Sequence, residues 1–296
     1  MKARGAVMHS VGAPWKIEDL EIGEPNDHEV LVRVVASGLC HSDDHVHTGD
    51  LPVNLPMVGG HEGAGIVEKV GKAVTRVKVG DHVSTSYIPS CGTCPYCARG
   101  KQYICNNGAG MELGLSMDGT PRFFLDGKGI GGLCRLGTFS NWIVISEQQC
   151  IPIDKSIPLD LACLVSCGVA TGWGSAVNVG QVRPGDVVLV VGVGGVGMNA
   201  VQGARHAGAG HLIVAEPVEF KRQRALELGA TEAYPSVAEA LPRIHELTNG
   251  QGTDVSIITV GRVDGDIIGE VFQTVGKAGT LVLTAVGQHD PGIAIN

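Results

Sequence analysis

The pattern of apolar and polar positions along the chain changes near residue 168. Before that point, apolar and polar positions alternate in short runs separated by glycine and proline turns, as in EVLVRVVASG (29–38), GIVEKVG (65–71) and GDHVSTSYI (80–88). A period of two is typical of strands that bury one face. Residues 1–168 are therefore predicted to form a mostly antiparallel, barrel-like β domain.

After residue 168, apolar runs alternate with helical patterns. The runs are DVVLVVG (186–192), HLIVAE (211–216), DVSIITVG (254–261) and GTLVLTAVG (279–287). The helical patterns cover residues 196–208, 219–229, 237–250 and 264–276. Fully apolar strands that alternate with helices are typical of a parallel sheet covered on both faces. Residues 169–296 are therefore predicted to form a doubly wound α/β domain.

Composition and charge narrow the class of partner. The 296 residues have room for about two domains. The net charge of -8, without a long basic run, argues against nucleic acid or an anionic membrane surface as a partner. The N-terminus lacks the apolar core of a signal peptide, and no run of about 18 apolar residues is apparent. We expect small-molecule chemistry in the cytoplasm, with no membrane or nucleic acid involved.

A glycine-rich turn follows the first apolar strand of the second half. In VVLVVGVGGVG (187–197), Gly192, Gly194, Gly195 and Gly197 stand between a strand and a helix. Backbone N–H groups in such a turn can approach a pyrophosphate, and the helix dipole favours the negative charge. The turn therefore predicts a dinucleotide-binding loop.

An acidic residue closes the next apolar strand. Glu216 lies 24 positions beyond Gly192, where a carboxylate can accept hydrogen bonds from the adenosine ribose hydroxyls. The same charge would repel a 2′-phosphate, which favours NAD over NADP. Lys221 and Arg222 follow closely and leave NADP open.

Four cysteines stand close together in CGTCPYCARGKQYIC (91–105). Cys91, Cys94, Cys97 and Cys105 have C-x2-C-x2-C-x7-C spacing. Four thiolates close a tetrahedral zinc site and leave no position for a substrate, which predicts a structural metal. An iron–sulfur cluster and a redox disulfide pair are the alternatives, although the ferredoxin pattern places its fourth cysteine three residues on and before proline.

Three separated stretches offer a second set of ligands: GLCHSDDH (38–45), GGHEGAG (59–65) and SCGVATGWG (166–174). They supply Cys40, His61 with Glu62, and Cys167. Two thiolates and a neutral imidazole suit Zn²⁺ and leave a fourth position for water or an alcohol, with Glu62 as an occasional ligand. From spacing alone, roles in the core or in helix capping remain open for these residues.

The order and spacing of all these motifs resemble those of the zinc-dependent medium-chain alcohol dehydrogenases, from about residue 5 to the end of the chain. The resemblance implies a GroES-like β-barrel catalytic domain at 1–168 and a Rossmann NAD-binding domain at 169–296. It implies hydride transfer between a primary alcohol or aldehyde and NAD, with two zinc ions per chain. It also implies a homo-oligomer, a dimer or a tetramer, for a complete chain.

The resemblance assigns roles to individual residues. It implies a catalytic zinc on Cys40, His61 and Cys167, with Glu62 beside the metal and Asp43 as the partner of the histidine. It implies that Ser42 and the nicotinamide ribose relay a proton to His45 at the surface. Further cofactor contacts would be His41, Thr171, Val196, Lys221 and Arg262, and the substrate pocket would include Leu51, Tyr87 and Val286.

Three stretches are similar to the nitrosoaniline-dependent branch of that family, in which NAD stays bound and is recycled by an external acceptor. They are LGTFSNWIVI (136–145), CGVATGWGSAV (167–177) and AEPVEFKRQRALELGA (215–230). The similarity implies a slow release of NAD from this chain. The apolar walls of the implied substrate pocket favour a primary aliphatic or aromatic alcohol.

The end of the chain departs from the family pattern. The family continues into a sixth strand and returns to the catalytic domain, whereas this sequence stops at Asn296. We therefore expect a C-terminally incomplete second domain, with an incomplete sequence, a short variant and a non-enzymatic relative as explanations. The alternative function is that of a catalytically incompetent relative or fragment that binds NAD and zinc.

Overall fold

The change of hydrophobic periodicity near residue 168 coincides with a boundary between two folded units. The protein is described by a computed structural model that covers residues 1–287 and 292. One unit is Met1–Cys167, and the described residues from Gly168 onward form the other. The boundary lies one residue before the position that the sequence pattern indicates. The expected stop before a sixth strand concerns residues 288–296, which lie outside the described residues apart from Gly292.

The first unit contains a closed barrel and a second sheet. Its strands are β1 (Lys2–Met8), β2 (Lys16–Ile22), β3 (Glu29–Gly38), β4 (Met57–Val58), β5 (Glu62–Val70), β6 (His82–Thr85), β7 (Phe123–Leu125), β8 (Lys128–Gly132), β9 (Trp142–Ser146) and β10 (Cys150–Ile153), and its helices are α1 (His41–Thr48) and α2 (Leu159–Leu164). The barrel order is β1-β2-β7-β8-β4, and the second sheet has the order β10-β6-β5-β3-β9. The pairs are antiparallel apart from β4 with β8, which confirms the predicted barrel-like β domain.

The register of β3 and β5 positions two of the separated motifs. β3 lies between β5 and β9, and its Val30 and Val32 are buried in the core with Val67 of β5. The antiparallel pairing continues to the end of β3, where Gly38 stands opposite Glu62. The loop that follows Gly38 and the residue that precedes Glu62 therefore meet at one edge of the sheet. These are the positions of Cys40 and His61.

The second unit is a parallel sheet with helices on its faces. Its strands are β11 (Val187–Val191), β12 (His211–Ala215), β13 (Glu232–Tyr234), β14 (Thr253–Ile258) and β15 (Val275–Leu283), and its helices are α3 (Ala170–Gly174), α4 (Gly195–His206), α5 (Glu219–Leu228), α6 (Val237–Thr248) and α7 (Gly265–Phe272). The order β13-β12-β11-β14-β15 is parallel throughout. Val188 and Val190 enter one core and Leu189 the other. The predicted doubly wound α/β fold is confirmed.

The last helix and strand have different bounds from those that the sequence pattern indicates. α7 ends at Phe272 rather than at residue 276, and β15 starts at Val275 rather than at 279. Thr274 separates them because its buried hydroxyl donates to the Val271 carbonyl at 2.7 Å and pairs with the Ser256 hydroxyl at 2.9 Å. The first part of β15 contains two glycines and one lysine among its five residues, so no alternation of apolar and polar positions marked it as a strand.

One helical run, Leu159–Val179, is long and apolar enough to cross a membrane by length and composition. The expectation that no stretch meets this criterion is therefore wrong, because the run mixes apolar residues with glycine and serine. The criterion is also met by core helices of soluble proteins, and so it is weak evidence for a membrane span. The run contains two π-helical turns, Val165–Val169 and Ser175–Val179.

Candidate active site

Four of the predicted ligands meet in the first unit. The ligand atoms of Cys40, His61, Glu62 and Cys167 all lie within 4.8 Å of one another. Cys40 precedes α1, His61 and Glu62 stand at the start of β5, and Cys167 lies in the π turn after α2. Zinc bonds of about 2.0–2.3 Å allow one ion to contact a cluster of this size. The donor set of two thiols, an imidazole and a carboxylate therefore fits zinc.

A buried carboxylate connects two of the ligand segments. Asp43 Oδ1 lies 3.3 Å from His61 Nδ1 and accepts a hydrogen bond from the Gly60 N–H at 3.1 Å. Its Oδ2 accepts a hydrogen bond from the Cys40 N–H at 3.0 Å. Because Asp43 holds Nδ1, the Nε2 atom of His61 is left to face a metal. Asp43 therefore orients His61 as the sequence predicts, and it also fixes the backbone of Cys40.

The pKa values of two ligand side chains in this cluster are strongly shifted. Burial alone would lower the pKa of His61, but the neighbouring Asp43 and Cys40 outweigh it and raise the pKa to about 10. The pKa of the Cys40 thiol is lowered, chiefly by its hydrogen bond with Cys167 and against the effect of burial. A thiol that ionises easily beside a buried carboxylate favours a cation at this position.

A network of buried hydroxyls joins the Cys167 segment to β5. Ser166 Oγ donates to the Gly63 carbonyl at 3.0 Å and lies 3.1 Å from Ser84 Oγ. Thr85 Oγ1 accepts a hydrogen bond from the Gly63 N–H at 3.0 Å. The residues next to Cys167 and Glu62 are thus held together. The sequence did not reveal this network, and its one local signal is the pair of hydroxyl residues on consecutive positions of β6.

The two predicted relay residues lie on α1. Ser42 Oγ is 3.7 Å from Cys40 Sγ, beside the cluster. His45 was expected at the surface, but its side chain is only 3% exposed, and this expectation is wrong. The ring lies on the buried side of α1, with Nδ1 3.3 Å from Asp50 Oδ2. The segment that follows the helix covers the imidazole. The sequence of α1 could not predict this burial, because polar residues occur on every face of the eight-residue helix.

The other predicted residues of the first unit have varied surroundings. The Tyr87 ring lies 6.4 Å from the His61 ring, edge to face, and so borders the cluster. Leu51 packs against an apolar cluster that includes Met57. His41 is exposed, and its ring centroid is 5.0 Å from that of His45.

The cysteine-rich loop brings its four thiols together. Cys91, Cys94, Cys97 and Cys105 also have ligand atoms within 4.8 Å of one another. Cys91 Sγ is 3.9 Å from Cys97 Sγ, and Cys94 Sγ is 4.0 Å from Cys105 Sγ. A tetrahedral ion with zinc–sulfur bonds of about 2.3 Å places its sulfurs about 3.8 Å apart. The four thiols therefore fit a closed zinc site.

Backbone donors support the thiolates of this loop. The Cys94 N–H donates to Cys91 Sγ at 3.3 Å, and the Cys97 N–H donates to Cys94 Sγ at 3.4 Å. The first of these bonds is the largest cause that lowers the pKa of Cys91 to about 6. The Cys97 donor begins the first of three short 3₁₀ turns in this loop, which are Cys97–Arg99, Gln102–Ile104 and Asn106–Gly108.

The glycine turn of the second unit has the geometry of a pyrophosphate loop. Gly192 has a positive φ of 80°. A Cβ on Gly194 or Gly195 would meet open space, whereas a Cβ on Gly197 would lie 2.1 Å from the Gly192 carbonyl oxygen. The first glycine therefore makes the turn, the middle ones leave room for a phosphate, and Gly197 lets α4 approach β11. Val196 lies in the first turn of α4.

Glu216 is anchored to this loop by backbone hydrogen bonds. Its Oε2 accepts from the Val193 N–H at 2.9 Å, and its Oε1 accepts from the Val218 N–H at 3.0 Å. The side chain is buried, and Lys221 Nζ lies 3.9 Å from Oε1. Each carboxylate oxygen keeps a further lone pair for a ribose hydroxyl. The link between Glu216 and the glycine loop is a feature that sequence spacing did not indicate.

The remaining predicted residues of the second unit lie on three segments. Thr171 is on α3, and its carbonyl accepts from the Ser175 hydroxyl at 2.7 Å. Arg262 follows β14. Val286 follows β15, and its carbonyl accepts from the Val263 N–H at 3.1 Å.

Known proteins resemble the chain over nearly its full length. Residues 26–155 match the family model of the alcohol dehydrogenase GroES-like domain, and residues 195–296 match that of the zinc-binding dehydrogenases. The NDMA-dependent alcohol dehydrogenase of Amycolatopsis methanolica is 50% identical over 290 residues, which are 98% of this chain and 78% of the relative.

Two solved structures have a closely similar fold. An alcohol dehydrogenase zinc-binding domain protein from Burkholderia ambifaria has a TM-score of 0.91 and 34% identity, covering 100% of this chain and 80% of that one. The benzyl alcohol dehydrogenase of Acinetobacter calcoaceticus has a TM-score of 0.89 and 30% identity, with the same coverage.

Proposed function

The chain belongs to the zinc-dependent alcohol dehydrogenases, whose GroES-like and zinc-binding dehydrogenase domains it carries, and on that premise we propose that it interconverts a primary alcohol and an aldehyde with NAD and two zinc ions per chain. The observation that supports this most strongly is the convergence of Cys40, His61 and Cys167 within 4.8 Å. These ligands come from three distant parts of the sequence, and a buried carboxylate orients the imidazole.

The side chains around the first cluster prepare a site for the alcohol. A zinc ion held there would act as a Lewis acid and would lower the pKa of a bound hydroxyl from about 16 to about 7. Asp43 keeps His61 in one orientation, and Ser166 holds the Cys167 segment in place. Gly38 leaves room for Glu62, because a Cβ there would lie 2.1 Å from Glu62 Oε2.

Oxidation of the alcohol releases its hydroxyl proton, and side chains near the cluster must accept that proton and pass it on. The Ser42 hydroxyl, 3.7 Å from Cys40 Sγ, is positioned to accept and pass on a proton without holding charge. His45, one turn further along α1, is the base that holds the proton next. We propose both residues as the relay.

Glu216 favours NAD as the cofactor, which accepts the hydride. Its buried carboxylate would repel a 2′-phosphate. Arg222, one of the two cations that left NADP open, donates to the backbone carbonyls of Glu216 and Pro217, at 2.7 Å each. The similarity to an NDMA-dependent enzyme supports slow NAD release. Nicotinamide absorbance in gel-filtered protein would support this part of the proposal, and its absence together with a requirement for added NAD would refute it.

The second cysteine group is proposed as a structural zinc site. Its four thiols fill a tetrahedron and leave no position for a substrate. A cytoplasmic location agrees with six of the nine cysteines standing in metal-ligand groups. A homo-oligomer remains part of the proposal and can be measured by light scattering.

The function can be tested by replacing one ligand of the first cluster. Cys167→Ala should retain NAD binding, keep about one of two zinc ions, and lose at least about a hundredfold in alcohol oxidation. Cys163→Ala is the matched control, because Cys163 is a buried cysteine four residues away that is absent from both ligand groups of the described residues. Unchanged activity in Cys167→Ala would overturn the proposal, as would iron in place of zinc.

A further inference from the structure

We propose that Asp50 is the carboxylate partner of His45, which orients the imidazole and carries its proton to solvent. This inference rests on the relay role of His45 proposed above. It assigns to Asp50 a positioning and proton-transfer role, and the residue lies just beyond the end of α1. The role differs from that of Asp43, whose partner is a metal ligand.

The burial of His45 creates the need for such a group. The His45 side chain is 3% exposed, so its ring has almost no contact with bulk water. The Asp50 side chain is 13% exposed and brings Oδ2 to within 3.3 Å of His45 Nδ1. An ionised carboxylate can only accept a hydrogen bond, and so Nδ1 carries the hydrogen. Asp50 therefore lies between the buried ring and the solvent.

The end of α1 fixes Asp50 in this position. Gly49 has a left-handed backbone with φ of 83°, which reverses the chain direction after the helix. The Leu51 N–H then donates to the His45 carbonyl at 3.0 Å. The Thr48 hydroxyl donates to Asp50 Oδ2 at 2.9 Å. The oxygen that faces His45 is thus held by a second donor.

A second titratable side chain of α1, His41, lies beside this pair. The His41 ring lies 5.0 Å from the His45 ring, centroid to centroid, and His41 Nε2 is 3.8 Å from Asp44. His41 is exposed and can exchange its own proton with water. Asp50 is accordingly the carboxylate placed against Nδ1 itself.

The proton steps balance without a further reactant. With Nδ1–H directed at Asp50, neutral His45 has its lone pair on Nε2, and a proton bound there gives an imidazolium. Transfer of the Nδ1 proton to Asp50 Oδ2 restores a neutral ring and leaves a carboxylic acid. The acid releases the proton to water and becomes a carboxylate again.

The test follows proton release in one turnover of the enzyme loaded with zinc and NAD. A pH indicator in weak buffer reports the proton that appears as the alcohol reduces bound NAD. Asp50→Asn keeps an acceptor oxygen for Nδ1 but cannot carry a proton, and Asp50→Ala removes both functions. We expect proton release to slow by about 10- to 100-fold, and added imidazole to restore it in a concentration-dependent manner. Asp19→Asn, at an exposed position of the same unit, is the matched control.

The outcomes separate this inference from the proposed function. Zinc content and melting temperature are measured for each variant, so that a loss of folding is recognised. Wild-type proton release in both Asp50 variants, or slow release that imidazole does not restore, would overturn the role of Asp50. Wild-type proton release in His45→Ala would instead overturn the relay itself.

Discussion

His61 and Asp43 form a buried pair in which Nδ1 lies 3.3 Å from Oδ1, and the Asp43 residue is only 1% exposed. The same carboxylate accepts hydrogen bonds from the backbones of Gly60 and Cys40. One side chain thus determines the position of two ligand segments that are separated by 20 residues. The geometry of the centre depends on a group outside the ligand set.

Asp43→Asn should weaken zinc binding at this centre about 10- to 100-fold, because an amide orients the imidazole less well and removes a negative charge. The measurement is zinc retained per chain at graded chelator concentrations. One zinc should be lost earlier than in the wild type and the other should be unaffected. Asp44→Asn, the exposed neighbour on α1, is the control. Wild-type retention of both ions in Asp43→Asn would contradict this role.

Gly194→Ala should weaken NAD binding, whereas Gly197→Ala should lower the stability of the fold. A Cβ on Gly194 meets open space, so the cofactor-free protein should melt normally but bind NAD at least about tenfold more weakly, because the methyl group obstructs the pyrophosphate. A Cβ on Gly197 would lie 2.1 Å from the Gly192 carbonyl oxygen, and should cost about 1–3 kcal/mol of stability. Calorimetry and NAD titration separate the two effects. Equal melting temperatures for both variants would refute the assignment.

Cys97→Ser should remove the structural zinc and loosen the loop. Structural zinc sites contribute about 10–16 kcal/mol of apparent binding energy in small peptides, so we expect zinc to fall from two ions per chain to one and the melting temperature to drop. Limited proteolysis should then cleave within residues 91–113. Cys134→Ser, outside both ligand groups of the described residues, is the control. A variant that keeps two zincs would show that the four thiols are not a single site.

Asp118 should make the first unit sensitive to acid. Burial opposes ionisation, but hydrogen bonds from Thr120 and Arg122 lower the pKa of Asp118 from 3.8 to about 2. Because the folded pKa is depressed, the stabilisation is complete above about pH 4 and is lost as the pH falls towards 2. The side chain is 39% exposed, so the effect is modest.

The variant Asp118→Asn tests whether the stabilisation by Asp118 is lost as the pH falls. The variant should melt below the wild type at pH 6, and the difference should disappear between pH 4 and pH 2. A difference that stays constant over this range would show that Asp118 contributes through its shape alone. A difference that grows in acid would contradict the depressed pKa.

Much of the second unit could be predicted because its signals are local. The apolar strands, the intervening helices and the glycine turn each follow from a few neighbouring residues. The approach of Cys40 to His61 is not a local signal, because it depends on the pairing of Gly38 with Glu62. Cys167 is held near them by the hydrogen bond from Ser166 to Gly63. Their spacing became informative only when several motifs were considered together.

The features that escaped prediction depend on contacts between distant segments. Glu216 binds the Val193 N–H across 23 positions, and Ser166 reaches Gly63 across 103. His45 is buried because the chain turns back after Gly49, and no periodicity within α1 reveals this. The start of β15 was missed for the opposite reason, because its pairing with β14 outweighs a weak local pattern.

Cys167 occupies the π turn Val165–Val169, which interrupts the α-helical geometry of the apolar run Leu159–Val179. A π turn contains one residue more than an α-helical turn, and each residue advances an α-helix by about 100°. A protein engineer who replaced this stretch with an ideal helix would rotate the Cys167 thiol by about that angle around the helix axis. Replacing the π turn with a regular helix to raise thermostability would therefore lower the affinity for the metal. Consensus or computational redesign should leave the π turn unchanged.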